Sequence, residues 1–260
     1  MWYNLLYGTV RSWKRLAACA CIFIPLGITL SGGYGAEPGG FLDVWMMLFN
    51  GDSPAPKDPN AQYTLPAMPI LIWIVLLLYV GFYARSELNS RSENAILAYR
   101  WRSLWWDGQC LWALCNTILF FVVVGLALCV ALLLGGKNPF LYAQLVYQIP
   151  ADGAGFSLWV FVLPVICFAA MVQMQLTLSL LVGAPLATIG MVAFYALCIY
   201  FDNPVLVGAG TMLIRNSNLG MGQIPGIILL LCGILFWFVW YFAGRMVIRR
   251  IPMIKKGTVE

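Results

Sequence analysis

Apolar and polar residues along this chain fall into long alternating blocks, and the charge-free blocks are its natural units. The first runs from residue 16 to 31, between Arg15 and Glu37, and ends at Ser31-Gly32-Gly33. Others cover about 66–84 and 109–134, closed by Arg85 and Lys137. From Gly153 to Phe201 no charge occurs, a stretch too long for one membrane crossing and right for two, since a helix needs about 20 apolar residues to cross ~30 Å of hydrocarbon. The natural break is Gly183-Ala184-Pro185, where proline stops a helix and glycine permits the turn, placing spans at about 156–181 and 186–201. A last block covers about 226–244. The pattern predicts an all-α polytopic membrane protein with six transmembrane helices in one domain, because a lipid-exposed backbone must satisfy its own hydrogen bonds.

The segments between the blocks carry their own signals. Trp2, Leu6, Val10 and Trp13 recur about once per helical turn, with Asn4, Arg11 and Lys14 on other faces. Residues 1–15 therefore read as an amphipathic helix lying in the membrane interface, or as a frayed tail. Ser90-Arg91-Ser92-Glu93 has the capping-box form. Leu97, Trp101 and Leu104 follow it at helical spacing, then the boundary pair Trp105-Trp106. A short surface helix over about 90–100 is predicted there; the plainer reading is a solvated connector. The apolar stretch 41–49 is too short to span and suggests an interfacial helix or a lid. Asp202-Asn203-Pro204, then Val205 to Arg215, suggests a short re-entrant or surface helix rather than a seventh span.

Charge orients this arrangement. Arg11, Lys14 and Arg15 precede the first span, Arg85, Arg91, Arg100 and Arg102 join the second to the third, and Arg245, Arg249, Arg250, Lys255 and Lys256 follow the sixth. The loop between spans one and two holds Glu37, Asp43, Asp52 and Asp58 against Lys57 alone. An even number of spans in the plasma membrane with both termini cytoplasmic satisfies the preference of Lys and Arg for the cytoplasmic side. Composition agrees: 62% of the 260 residues are hydrophobic and only 10% charged, against about 25% charged in soluble chains. The net charge of +5 lies beside the spans and forms no nucleic-acid patch.

Absences narrow the chemistry. The chain has no histidine, which removes His-based catalytic dyads and the commonest zinc ligand. Most of its eight cysteines sit in apolar runs, where the thiol packs as a small hydrophobe, and disulfides are not expected. No ionisable Asp, Glu, Lys or Arg lies inside a predicted span, which argues against an ion-coupled carrier, and no phosphate-binding loop is present. No catalytic or cofactor-binding residue is predicted. Gln173 and Gln175 are the notable polar groups in an apolar window; interhelical hydrogen bonding is the first reading and a translocation path the second.

Taken together, six spans, an interfacial N-terminal helix, a cytoplasmic helix between spans two and three and a short outer segment before span six resemble a type-two ABC exporter permease. Arg100-Trp101-Arg102-Ser103-Leu104-Trp105-Trp106 is similar to the basic, aromatic lead-in to span three of Gram-positive members. Residues 173–180 followed by Gly183-Ala184-Pro185 resemble the end of their fourth span, and 211–215 a segment of their last outer loop. Within the family the chain is most similar to the permeases that export phenol-soluble modulins and bacteriocin-type peptides. The resemblance implies export of amphipathic peptides by a homo- or heterodimer of permeases. Two separate ATP-binding cassette subunits would bind the ATP and magnesium. It also implies that the helix 90–100 docks on the ATPase through Ser90, Arg91, Glu93, Asn94, Leu97 and Arg100. Spans two and five would face the dimer axis, bringing Tyr79, Tyr83, Phe194 and Tyr195, with Gln173, near the path. The Pro/Gly-rich first outer loop is longer than a minimal member needs. A membrane scaffold or assembly protein and a secondary carrier are the competing readings.

Overall fold

A computed structural model describes residues 2–32, 40–51, 66–81, 102–140, 158–201, 203–219 and 222–250, with only the backbone for 2–11. Seven α-helices occur among them: α1 Trp2–Gly32, α2 Phe41–Phe49, α3 Ala67–Val80, α4 Arg102–Leu134, α5 Leu163–Val182, α6 Ala184–Tyr200 and α7 Gly226–Arg250. A π-helical turn, Leu158–Val162, leads into α5, and three 3-10 turns lie between α6 and α7. The described residues contain no strand, only an isolated bridge between Asn216 and Ile224.

Four of the six predicted spans have helices long and apolar enough to cross a membrane: the Ser12–Gly32 part of α1, α4, Leu158–Val182, and α7. The other two are shorter. α3 has 14 residues and α6 has 17, about 21 and 26 Å at 1.5 Å per residue against a ~30 Å core. Proline and glycine set these limits. Pro66 caps the start of α3, and the described residues of this segment end at Gly81. Gly183 both ends α5 and starts α6 at φ +90°, a conformation that favours glycine, with Pro185 in the first turn beyond. The predicted break at 183–185 is therefore where the chain turns.

The N-terminal segment differs from expectation. No boundary separates an interfacial helix from the first span, and α1 runs unbroken from Trp2 to Gly32. Arg11, Lys14 and Arg15 change the polarity of the helix without stopping it, because Lys and Arg are good helix formers. α4 likewise begins seven residues before the predicted 109. Its extra turns bring Asp107 onto the helix, and α7 continues past 244 to carry Arg245, Arg249 and Arg250. The segment 90–100 and most of 137–152 lie outside the described residues.

Helices α1 and α4 pack along each other, as do α5 and α7, and α5 is the most enclosed of the long helices. Gly27 lets α1 approach α4 closely, since a Cβ there would lie 2.7 Å from that of Ala131. The outward faces are apolar: on α7 alone Leu231, Leu235, Val239, Phe242 and Met246 are exposed. A soluble surface seldom carries such a continuous stripe, and lipid accepts it. α2 does not lie on the surface of the described residues. Val44, Trp45, Met46, Leu48 and Phe49 are all buried, and Trp45 lies against Phe49, Phe121 and Phe161. The Asp43 carboxylate accepts the Gly40 N–H at 2.9 Å, anchoring the helix start where negative charge is favoured.

Candidate functional site

Three tryptophans fasten the helices from within. Trp45 on α2 donates its indole N–H to the Val160 carbonyl in the π turn (3.2 Å), Trp73 on α3 to Met191 on α6 (3.3 Å), and Trp106 on α4 to Tyr241 on α7 (2.9 Å). Each ring buries a large apolar surface while its polar edge meets a carbonyl. Gly244 makes room for Trp106, because a Cβ there would overlap the ring.

Between these anchors runs a buried polar seam centred on α4. Tyr79 on α3 donates its hydroxyl to Asn116 Oδ1 at 2.6 Å, and Ser12 Oγ of α1 lies 3.5 Å from the same hydroxyl. Asn116 in turn donates to the Trp112 carbonyl at 2.9 Å. About 9 Å further along α4, Cys110 Sγ accepts from Gln173 Nε2 of α5 at 3.1 Å. The Thr177 hydroxyl contacts both the Gln173 carbonyl one turn back on α5 (3.1 Å) and the Trp240 carbonyl on α7 (3.0 Å), joining the two helices. Gln175 reaches Thr188 on α6 at 3.4 Å and packs against Gly81, where any Cβ would strike its amide. The Oε1 atoms of Gln173 and Gln175 are buried and lack a hydrogen bond among the described residues.

A second polar region closes the far ends of α6 and α7. After α6 the chain folds back as the 3-10 turns Val207–Thr211, Leu213–Arg215 and Ser217–Leu219, and Val207, Ala209, Met212, Leu213 and Leu219 are all buried. Gly208 lies against Cys198 and Gly210 against Cys167, so the segment enters the bundle too closely for larger residues. Non-helical backbone at such a place must satisfy its polar groups inside the protein. Tyr195 and Thr211 share a 2.9 Å hydrogen bond between α6 and the segment. Arg215, only 2% exposed, donates to the carbonyls of Cys198 (2.9 Å), Phe201 (2.8 Å) and Ile199. Its guanidinium caps the C-terminus of α6, where exposed carbonyls and the helix dipole favour a cation. Lys137 does the same for α1 through the Ser31 carbonyl.

The predicted path residues that are described, Tyr79, Gln173, Phe194 and Tyr195, are distributed over this interior. Tyr79 and Gln173 belong to the polar seam; Gln173 makes the interhelical bond. Tyr195 lies in an aromatic cluster with its ring 5.7 Å from Trp73 and 6.2 Å from Phe168. Its neighbour Phe194 turns the other way and stacks on Phe236 of α7 at 6.0 Å. Tyr83 and the predicted ATPase-docking residues Ser90, Arg91, Glu93, Asn94, Leu97 and Arg100 lie outside the described residues. Sequence reasoning passed over Asn116, although an amide in the middle of the 109–134 block was the signal available. Arg215 belongs to a segment that reads as an outer loop, and nothing in the spacing marks it as enclosed. Comparison of the chain with protein-family profiles, characterised proteins and solved structures found no match.

Proposed function

We propose that this chain is the transmembrane permease subunit of an ATP-driven ABC exporter, working as a dimer with separate ATPase subunits that bind ATP and magnesium. In this reading α3 and α6 complete a set of six crossings, both termini face the cytoplasm, and the cargo is an amphipathic, toxin-like or antimicrobial peptide. The observation that carries it is the folded-back segment Val207–Leu219, a buried non-helical insertion between the last two apolar helices held by Arg215 and Tyr195. Irregular backbone enclosed among apolar helices is a feature of membrane proteins that build a path through the bilayer. It also lies where the resemblance to type-two exporter permeases puts a short outer segment. An amphipathic peptide needs an apolar, aromatic surface rather than a charged pore, and in this reading the buried faces of Trp73 and Tyr195 open to it during transport.

Coupling in this proposal runs through the segment 90–100, expected from the sequence to be a helix, with Glu93 and Arg100 gripping the ATPase. Replacing both by alanine leaves insertion intact and removes ATPase association or coupled transport; unchanged transport by the double variant refutes the coupling role. The closed packing of Tyr79, Gln173 and Tyr195 within one chain favours the second reading, a membrane scaffold. A scaffold would retain its function in membranes depleted of ATP, and an exporter would not.

A further inference from the structure

A groove of about 460 Å³ opens between α4, the π turn with the start of α5, and α7. Leu114, Ile118, Phe161, Val165, Trp237 and Phe238 are among its walls, and every lining side chain is aliphatic or aromatic. Its lips face outward, with Ile118, Val162 and Phe238 each more than two-fifths exposed. The volume falls in the ~300–1,000 Å³ range of ligand pockets, and the lateral opening gives access from the hydrocarbon of a bilayer.

Both long walls lead toward the same polar end. On α4, Ile118, Leu114, Leu111 and Asp107 follow one helix face, and on α7, Ile234, Phe238, Tyr241 and Arg245 do likewise. There Tyr241 donates to Asp107 Oδ1 at 2.7 Å, and Arg245 meets Asp107 Oδ2 at 3.5 Å while lying 6.0 Å from the Tyr241 ring centre. Arg245 Nε is a buried donor with no hydrogen bond among the described residues. Arg249 continues the face, Arg250 is exposed beside it, and Asp107 is the one described carboxylate at this end. The apolar groove thus gives way to a basic rim about 10 Å beyond Phe238, seven residues along the helix.

A hydrocarbon slot that ends in arginines matches an amphiphile with an apolar tail and an anionic head. We propose that the groove holds an acyl chain of an anionic phospholipid from the leaflet at the basic end of α7, its phosphate set against Arg245 and Arg249. Arginine suits this head because its fork of donors matches phosphate oxygens. A second copy of the chain fits less well. Two copies in the same orientation would bring Arg245, Arg249 and Arg250 of each toward the other, and like charges oppose that contact.

The test uses the full chain purified in detergent and native mass spectrometry with phosphatidylglycerol or phosphatidylcholine at equal concentration. Phosphatidylglycerol is expected to stay bound in preference, by about fivefold per contacting arginine, or roughly 1 kcal/mol each. Arg245→Gln with Arg249→Gln should bring it down to the phosphatidylcholine level. Arg249→Gln alone, at an exposed position, should cost about fivefold and keeps the test valid if the double variant fails to fold. Val165→Trp, filling the groove, should lower retention of phosphatidylglycerol without changing the rim. Equal retention of the two lipids, or indifference to both the rim and the groove variants, overturns the proposal. A lipid-free dimer that Val165→Trp breaks would overturn it too and assign the groove to a second copy. None of these outcomes depends on an ATPase partner.

Discussion

Arg215 is the residue whose replacement tests the interior most severely. Three carbonyls at the end of α6 accept from its guanidinium, those of Cys198, Ile199 and Phe201, and the first two bonds are buried. Arg215→Met removes the donors but keeps an apolar stem of similar length. Each enclosed carbonyl left without a partner costs about 1–3 kcal/mol, so Cys198 and Ile199 together set roughly 2–6 kcal/mol; water can reach the Phe201 carbonyl. Against this stands relief of the desolvation of a buried charge, several kcal/mol in its own right. Removing one partner of a buried charged network usually costs about 3–5 kcal/mol net, and about 3 kcal/mol is expected here. At about 2–4 °C per kcal/mol for a chain of this size, the unfolding midpoint should fall by roughly 6–12 °C. Eight free cysteines, four of them buried, make a thiol-reactive fluorophore a suitable reporter of unfolding in detergent. Arg215→Lys should recover less than half of the loss, because an ammonium cannot reach all three carbonyls from one point. A midpoint unchanged in Arg215→Met, or full stability in Arg215→Lys, would refute the capping role.

Other substitutions probe the remaining anchors. Gly244→Ala places a methyl in the ring of Trp106 and loosens its bond to Tyr241, so a loss of about 1–3 kcal/mol is expected. Gly233→Ala, whose Cβ would lie 3.3 Å from Ile166, should cost less in the same thermal assay, and a reversed order would contradict the packing. Asn116→Leu takes the acceptor from Tyr79 and should cost about 1 kcal/mol, in the range of interhelical bonds in membranes. Adding Tyr79→Phe to that variant should cost little further, because only the long 3.5 Å contact with Ser12 is left to lose. Fully additive losses in the double-mutant cycle would show that the two side chains act separately.

Much of this architecture could be read along the chain, and the exceptions share a cause. Gly183 and Pro185 mark the turn between α5 and α6 because both act on their own backbone, a local effect that sequence displays directly. The apolar blocks marked the long helices for the same reason. Charge is a poorer guide to where a helix begins. Arg15 and Asp107 delimit hydrophobic windows, yet α1 and α4 pass through both positions. Pairings across the bundle left no trace in spacing: Asp107 meets Tyr241 and Arg245 from more than 130 residues away. Arg215 followed Asp202-Asn203-Pro204 and looked like part of a polar loop, because a cation that caps a helix and one that meets water read alike in one dimension. The burial of α2 was equally hidden, since a nine-residue stretch that is apolar but for Asp43 suits an interface and an interior equally well.

The exporter account rests on a second protein that hydrolyses ATP, so the decisive measurement is the composition of the complex. The tagged full chain should be extracted from its native membrane in mild detergent and its partners quantified by mass spectrometry. The account predicts an ATP-binding cassette subunit at about one copy per copy of this chain, with ATP hydrolysis in the purified complex. Purification without an ATPase at stoichiometric level, from membranes in which both proteins are made, would contradict it.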